Sequence, residues 1–583
     1  MHIRNRNPYG TATGAAGWPG GFPKRKGNQE SAASGGHAWM QRWYTCLHME
    51  KNDNKSFVKG AVILGVAGLI CKIIGAFFRI PLYNMLGDGM QFYEAVYPFY
   101  STLVTISTAG LPTAISRMVA ERATIGDYKG AKNVFRRAQL LLFIFGLGTA
   151  GLMFGLADVL AMWTVGPGAA PSFRAMAPAL FFVGLLSAYR GYLQGMQKMT
   201  GTAVSQVVEQ VGTLLIGLIL AKRLLPYGLE YGTMGAIIGV TASELIALAV
   251  MAGFYLKNRK AFLPPDQTAP ILKKKIIHDL LAIAIPVTIG GSIISITGMV
   301  DASVIKRTLI ATGVPEDIAA MSYVCFRTNV ASILNLPAVL TVALAMSLVP
   351  AISAARTRRD RREMESAIRM GIKISTFIGM PCMVGLYVLA QPSLDLLYNI
   401  DSTRLQIATA LMKTSSISVL FLALTQTLTG ILQGIGKHNI PVVNLAIGAA
   451  VKIVSMIILL RIPSIGIQGA AISNVLCYLV SGVLDYVFLI RYAHVRIDWI
   501  GTYLKPGLSA LCMGAVAALV YTVLFNLHPS NTICAAGAIG AAVVTYLALI
   551  FLSGMFDRSE LMFIPGGRRF LSRIDHRETE DPR

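Results

Sequence analysis

The chain has 583 residues, 54% of them hydrophobic and only 14% charged, with a mean hydropathy of +0.58. Soluble domains carry about a quarter charged residues, so a water-soluble globular fold is excluded and an integral membrane protein is expected. The 52 Lys and Arg against 29 Asp and Glu give a formal net charge of +23, but these cations cluster in short loops between apolar runs, a pattern of membrane topology rather than of nucleic-acid binding.

Residues 1–55 are rich in Gly, Ala, Asn and Arg and hold no apolar run that would serve as a signal peptide. They read as a disordered extension, with Met49, at the head of the charged lead MEKNDNKSFVKG, a candidate natural start. Apolar runs long enough to cross about 30 Å of hydrocarbon then follow at 57–83, 92–120, 138–161, 172–197, 201–222 and 233–257. A basic linker at 261–275 separates them from a second set at 277–305, 319–353, 370–391, 406–435, 440–461 and 466–491. Two further runs, 501–527 and 532–555, precede a basic tail at 557–583. The expected organisation is an N-lobe at 56–260, a C-lobe at 276–495 and an appended helix pair at 496–556.

The two sets are related. YLQGMQK at Tyr192 to Lys198 returns as ILQGIGK at Ile431 to Lys437, and each copy is followed by an apolar span, a proline (Pro226, Pro463) and a further span opening GAI or GAA. Arg122, Lys129 and Lys132 after the second span, Lys257 to Lys275 after the sixth and Arg356 to Arg362 after the eighth place those loops and both termini in the cytoplasm. With an even number of spans per unit, both copies enter the membrane in the same sense, so the repeats are parallel. The fold class is therefore an all-α polytopic membrane protein of about fourteen transmembrane helices, two parallel six-helix repeats plus two helices. The cysteines are scattered, with no CxxC pair and no grouping with histidine; no disulfide, metal or cofactor is expected.

Ionisable residues inside apolar spans are functional candidates. Lys72 and Arg79 lie two turns apart on one face of the first span, with Gly75 between them; this cationic stripe reads as a phosphate-binding surface, against a snorkelling alternative for Arg79. Thr202, Ser205, Glu209 and Thr213 draw a polar stripe along the fifth span, and Asn444, Gly448, Lys452 and Ser455 draw one along its repeat partner, so a cross-lobe pair between Glu209 and Lys452 is one reading and ordinary interhelical hydrogen bonding the other. Asp301 in the seventh span is a candidate for charge balance or coupling. Arg327 heads a polar face with Asn329, Ser332 and Asn335 in the eighth, and Glu244 and Asp485 read as structural. Gly110-Leu-Pro112 and Leu336-Pro337 mark bends or kinks. No Walker loop, metal-binding histidine cluster or nucleophile elbow appears, so no enzymatic chemistry is expected.

FVKGAVILGVAGLICKIIGAFFRIPLYNMLG, YPFYSTLVTISTAGLPTAISRMVAE and LNLPAVLTVALAMSLVPAIS, in that order, resemble the stage V sporulation protein B and polysaccharide-export branch of the multidrug/oligosaccharidyl-lipid/polysaccharide flippase superfamily. The resemblance covers nearly everything after Met49 and implies two six-helix lobes around a central cavity. It further implies kinship with MurJ-type flippases, which move undecaprenyl-linked lipid II outward and carry cationic cavity residues. Lys72 stands at the first cation of that group's helix-one pattern, and Arg79 approximates the second with one residue of extra spacing. The group's other arginine positions fall near Thr105 and Ser332, with Arg327 displaced by more than a turn. The implied function is alternating-access export of an undecaprenyl-linked precursor such as lipid II, including for spore cortex. Lys72, Arg79, Arg327, Glu209 and Lys452 would line the cavity, with membrane lipids and envelope-synthesis enzymes as partners and no nucleic acid. Another lipid-linked oligosaccharide as substrate, a cation-coupled drug exporter and a non-transporting scaffold remain the alternatives.

Overall fold

A computed structural model describes residues 63–108, 110–258, 273–495, 497–528 and 530–555. The N-terminal extension, most of the basic linker and the tail lie outside the described residues. Every regular element among the described residues is helical. The N-lobe comprises α1 (63–86), α2 (Met90–Thr108), α3 (Gly110–Thr124), α4 (Tyr128–Gly155), the short α5 (Ala157–Trp163), α6 (Ala170–Gly195), α7 (Met199–Leu224) and α8 (Leu229–Asn258). The C-lobe comprises α9 (Lys273–Ala311), α10 (Glu316–Val324), a π-helical turn at Cys325–Val330, α11 (Ala331–Thr357), α12 (Arg361–Val388), the short α13 (Ala390–Leu397), α14 (Ser402–Gly434), α15 (Asn439–Leu460) and α16 (Gln468–Ala493). α17 (Lys505–Leu527) and α18 (Asn531–Leu552) complete the chain. Thirteen segments are long and apolar enough to cross a membrane, and the first, Ile63–Thr124, is 62 residues long and holds two passes separated by a tight turn at Gly87–Gly89. Counted so, fourteen spans stand among the described residues.

Two refinements of the sequence reading follow from local chemistry. Pro337 lies inside α11, which continues through it. Asp127, Asp360 and Asp401 cap α4, α12 and α14 by accepting backbone N–H bonds from Gly130, Glu363 and Arg404, satisfying donors that a helix start leaves open.

The repeated LQG phrase has a structural meaning in both copies. Lys198 N–H donates to Leu193 O and Lys437 N–H to Leu432 O, each at 2.8 Å, while Gln197 and Gly436 take left-handed φ values of 58° and 86°. This is the same helix stop built twice. Upstream, the glycines serve close packing. A Cβ on Gly191 would stand 2.8 Å from Pro112 O, and one on Gly430 would stand 2.8 Å from Ala345 O, so α6 lies directly on α3 and α14 on α11. The shared phrase thus records the packing of equivalent helix pairs in the two lobes. On the outside, Leu519 and Val544 are 66% and 69% exposed, as expected of side chains that face acyl chains rather than water.

Candidate functional site

The charged residues within the membrane converge where the lobes meet. Arg79 on α1 donates to Glu94 on α2 at 2.7 Å, and its guanidinium carbon lies 5.9 and 5.7 Å from the ring centres of Tyr93 and Tyr97. Glu94 is fully buried, accepts a hydroxyl bond from Thr328 at 3.3 Å and lies 3.6 Å from Arg327. Arg327 in turn lies 3.6 Å from Asp301 on α9, which pairs with Lys452 on α15 at 2.8 Å. The result is an alternating string, Arg79, Glu94, Arg327, Asp301, Lys452, that runs from the N-lobe into the C-lobe with three cations against two anions. A buried string of this kind is favourable only while every charge keeps its partners.

Arg327 reaches this position from the π turn, whose extra residue per turn resets the direction of the side chains that follow. Although displaced in sequence from the position implied by the resemblance, it lines the cavity together with Ser332 and Asn335. Lys72 lines the same cavity, half-exposed, and no carboxylate lies within ion-pair distance of it among the described residues. The helix-one stripe therefore divides in role: Lys72 is open to an incoming anion, whereas Arg79 is held by Glu94. Snorkelling does not describe Arg79.

The cross-lobe pair between Glu209 and Lys452 is not formed. Glu209 accepts from Arg190 of α6 at 2.8 Å inside the N-lobe, and Lys452 is taken by Asp301. Glu209 finds its partner on the preceding helix, whereas Lys452 finds one 151 residues away. Of the remaining buried carboxylates, Asp485 accepts from Asn444 at 2.8 Å and Thr429 at 3.5 Å, and Glu244 accepts from the Tyr100 hydroxyl at 3.2 Å. Glu94 and Arg190 escaped the sequence reading. Glu94 sits two residues into the apparent start of a span and Arg190 six residues before Met196, where helix ends excuse a charge; the one signal was the short polar interruption each makes in an aromatic run, FYEAVY and AYRGY.

Three neighbouring chambers of about 500, 290 and 370 Å³ share Arg79 and Tyr97 in their walls. The largest holds Lys72, the second Asp301 and Lys452, and the third Arg190, Glu209 and Glu244. On the far face of α11 lies an apolar groove of about 540 Å³, walled by Ile333, Leu340, Cys382, Met513 and Tyr546 from α11, α12, α17 and α18. The lobes are tied together at the end of α1. Asp88 pairs with Arg404 at 2.6 Å, Asn84 donates to Leu397 O at 3.2 Å and accepts from Asn399 N–H at 3.1 Å, and Lys306 donates to Val165 O at 2.8 Å. Such an arrangement, a polar and net cationic cavity between two repeats closed at one end, suits an amphiphile with an anionic head.

The profile of the polysaccharide biosynthesis protein family matches residues 57–356. The chain belongs to that family. The MatE profile also matches, over residues 286–458. As a member of the polysaccharide biosynthesis protein family, the chain is 26% identical to stage V sporulation protein B of Bacillus subtilis strain 168 over 88% of its length and 98% of that protein. It is likewise 26% identical to the lipid II flippase MurJ of the same organism over 88% of this chain and 99% of that one. Among solved structures, the lipid II flippase MurJ in an inward closed conformation is similar with a TM-score of 0.63 at 16% identity, covering 85% of this chain and 99% of that one. An inward-facing multidrug resistance MATE family transporter of the MOP superfamily is similar with a TM-score of 0.60 at 16% identity, covering 74% and 98%. At such identities the structural likeness establishes the fold, and this family member is a multi-pass membrane protein with a MurJ-like and MATE-like architecture.

Proposed function

We propose that the protein is a flippase that carries an undecaprenyl-linked cell-envelope precursor, lipid II in the first place, across the cytoplasmic membrane by alternating access, with both termini in the cytoplasm. The observation that carries this reading is the cation excess of the inter-lobe cavity. The five-membered string has one cation more than it has anions, and Lys72 adds a second, unpaired one. A diphosphate headgroup brings two negative charges, which cannot cross hydrocarbon unaccompanied, and a partly dehydrated cavity strengthens their pairing with fixed cations. The apolar groove behind α11 offers the polyprenyl chain a place next to, and separate from, the polar chambers. Likeness to the lipid II flippase MurJ over 88% of the chain supports the same reading.

The family's description as polysaccharide biosynthesis proteins favours a second substrate of the same chemistry, another lipid-linked oligosaccharide unit. A cation-coupled drug exporter, by contrast, would want an acidic cavity. The test is binding: native mass spectrometry of the purified protein with lipid II and with inorganic pyrophosphate as competitor. One lipid II per protein, displaced by pyrophosphate and lost in Lys72→Glu, is expected. Binding that survives Lys72→Glu undiminished and ignores pyrophosphate would remove the headgroup reading.

A further inference from the structure

One cation on the lipid-facing side of the C-lobe has lost the partner that its counterpart in the N-lobe keeps. Shifting the chain by the distance between the two helix stops puts Arg174 of α6 on Lys413 of α14, and the order of buried and exposed positions over 172–180 returns unchanged over 411–419. The elements that precede them also correspond. α4 and α12 each stop one residue short of a short helix, the linking residues Leu156 and Leu389 donate to Leu152 O and Gly385 O, and the next residues, Ala157 and Ala390, are both fully buried. The position after that is Asp158 in α5 and Gln391 in α13. In the N-lobe Arg174 pairs with Asp158 at 2.7 Å. In the C-lobe the cation is kept and the carboxylate has become an amide, and among the described residues no other carboxylate lies within ion-pair distance of Lys413.

What Lys413 meets instead is an aromatic ring at the edge of an apolar groove. Its Nζ lies 6.0 Å from the ring centre of Tyr387 on α12, a cation–π contact. Tyr387 walls a groove of about 370 Å³ together with Val384 of α12, Ile417 of α14 and Leu511, Ala515 and Ala518 of α17. Because α17 lies outside the repeat, this wall is an addition to the C-lobe. Depth then decides what fits. α14 has 33 residues, so it is about 50 Å long against ~30 Å of hydrocarbon. Lys413 stands roughly 16 Å from its first residue, which sets it about 6 Å inside the hydrocarbon border, within reach of the headgroup layer for a lysine. This is the side on which Asn84 bonds Leu397 and Asn399. An ammonium with no protein anion above an apolar groove matches the two ends of one molecule, a phosphate and an acyl chain. A zwitterionic headgroup brings its own ammonium, so the charge balance favours an anionic one.

We infer that Lys413, Tyr387 and the groove between α12, α14 and α17 bind one anionic phospholipid of the leaflet on that side, with its phosphate on Lys413 and one acyl chain in the groove. The site is separate from the inter-lobe cavity and does not depend on what that cavity carries.

Native mass spectrometry of the full-length protein, extracted from vesicles of equimolar phosphatidylglycerol and phosphatidylcholine, tests this. The wild type should retain one phosphatidylglycerol in preference to phosphatidylcholine, and Lys413→Gln should lower that preference about fivefold. Gln391→Asp, which restores the carboxylate of the N-lobe and leaves Lys413 in place, should lower it as far, whereas Gln391→Asn should not. Ala515→Phe, which fills the groove from an exposed position, should lower it too. All four variants change exposed positions and should unfold at the wild-type temperature. Absence of the preference in the wild type, or its survival in Lys413→Gln, would overturn the site; if Lys413→Gln fails to fold, survival in Gln391→Asp overturns it instead. Survival in Ala515→Phe would overturn the place given to the acyl chain. Displacement of the retained lipid by lipid II would assign the groove to the transported molecule and overturn the phospholipid.

Discussion

Glu94 is the residue on which the inter-lobe string turns, and Glu94→Gln isolates its charge from its shape. The amide keeps an acceptor for Arg79 and Thr328 but leaves Arg79, Arg327 and Lys452 facing Asp301 alone, so three cations share one anion. Removing one partner of a fully buried pair costs about 3–5 kcal/mol. The Arg79 and Arg327 side chains are 21% and 20% exposed, and water at that level of access lowers the cost toward ~2 kcal/mol. Because Glu94 belongs to the N-lobe while Arg327, Thr328 and the Tyr323 hydroxyl that donates to its carbonyl belong to the C-lobe, the penalty falls on the conformation in which the lobes touch here. A 2 kcal/mol penalty shifts the open-to-closed ratio by roughly thirtyfold. Spin labels at Tyr227 and Ile462, one on each lobe after replacement of the native cysteines, would read it by pulsed electron resonance. The wild type should give one short distance, and Glu94→Gln a dominant longer one that inorganic pyrophosphate narrows. An unchanged distance distribution in Glu94→Gln would refute the role assigned to the string.

Lys72→Glu should abolish outward movement of substrate while leaving membrane insertion and unfolding temperature unaltered, since Lys72 has no partner among the described residues to lose; cell fractionation and a flipping assay read the two separately. Leu340→Arg, which puts a charge into the apolar groove, should slow transport of an undecaprenyl substrate and spare one with a short prenyl chain; equal slowing of both would detach the groove from chain length. Gly430→Ala should lower the unfolding temperature by several degrees, because its Cβ would press on Ala345 backbone at 2.8 Å, whereas Gly540→Ala, with open space around it, should match or exceed the wild type.

The fourteen spans, the parallel repeat and the facing of Lys72 and Arg79 were legible because they follow from hydropathy and helical period, which are local. Pairing was not. Arg79 meets Glu94, Asp301 meets Lys452 and Glu209 meets Arg190 through packing between helices up to 151 residues apart, and no periodicity reports which buried charges share a layer. The stripes on α7 and α15 are polar faces, and of the two readings left open for them the cross-lobe pair is the one not formed, since each turns inward within its own lobe. Arg327, expected in the cavity, lines it from a π turn, one extra residue in the hydrogen-bonding register, which CFRTNV does not announce. The LQG phrase, visible at once as a repeat, acquired its cause only when both copies proved to be the same helix stop with the same glycine-lined approach.

The central claim is that the cavity accepts a lipid-linked anionic headgroup and delivers it to the other leaflet. Proteoliposomes loaded on one side with labelled lipid II, and in parallel with an undecaprenyl-linked glycan of another kind, test it directly through the amount of each that reaches the opposite leaflet. The account predicts transfer of lipid II by the wild type and none by Lys72→Glu. Transfer of the second glycan alone would contradict the choice of substrate, and transfer of neither would contradict the claim itself.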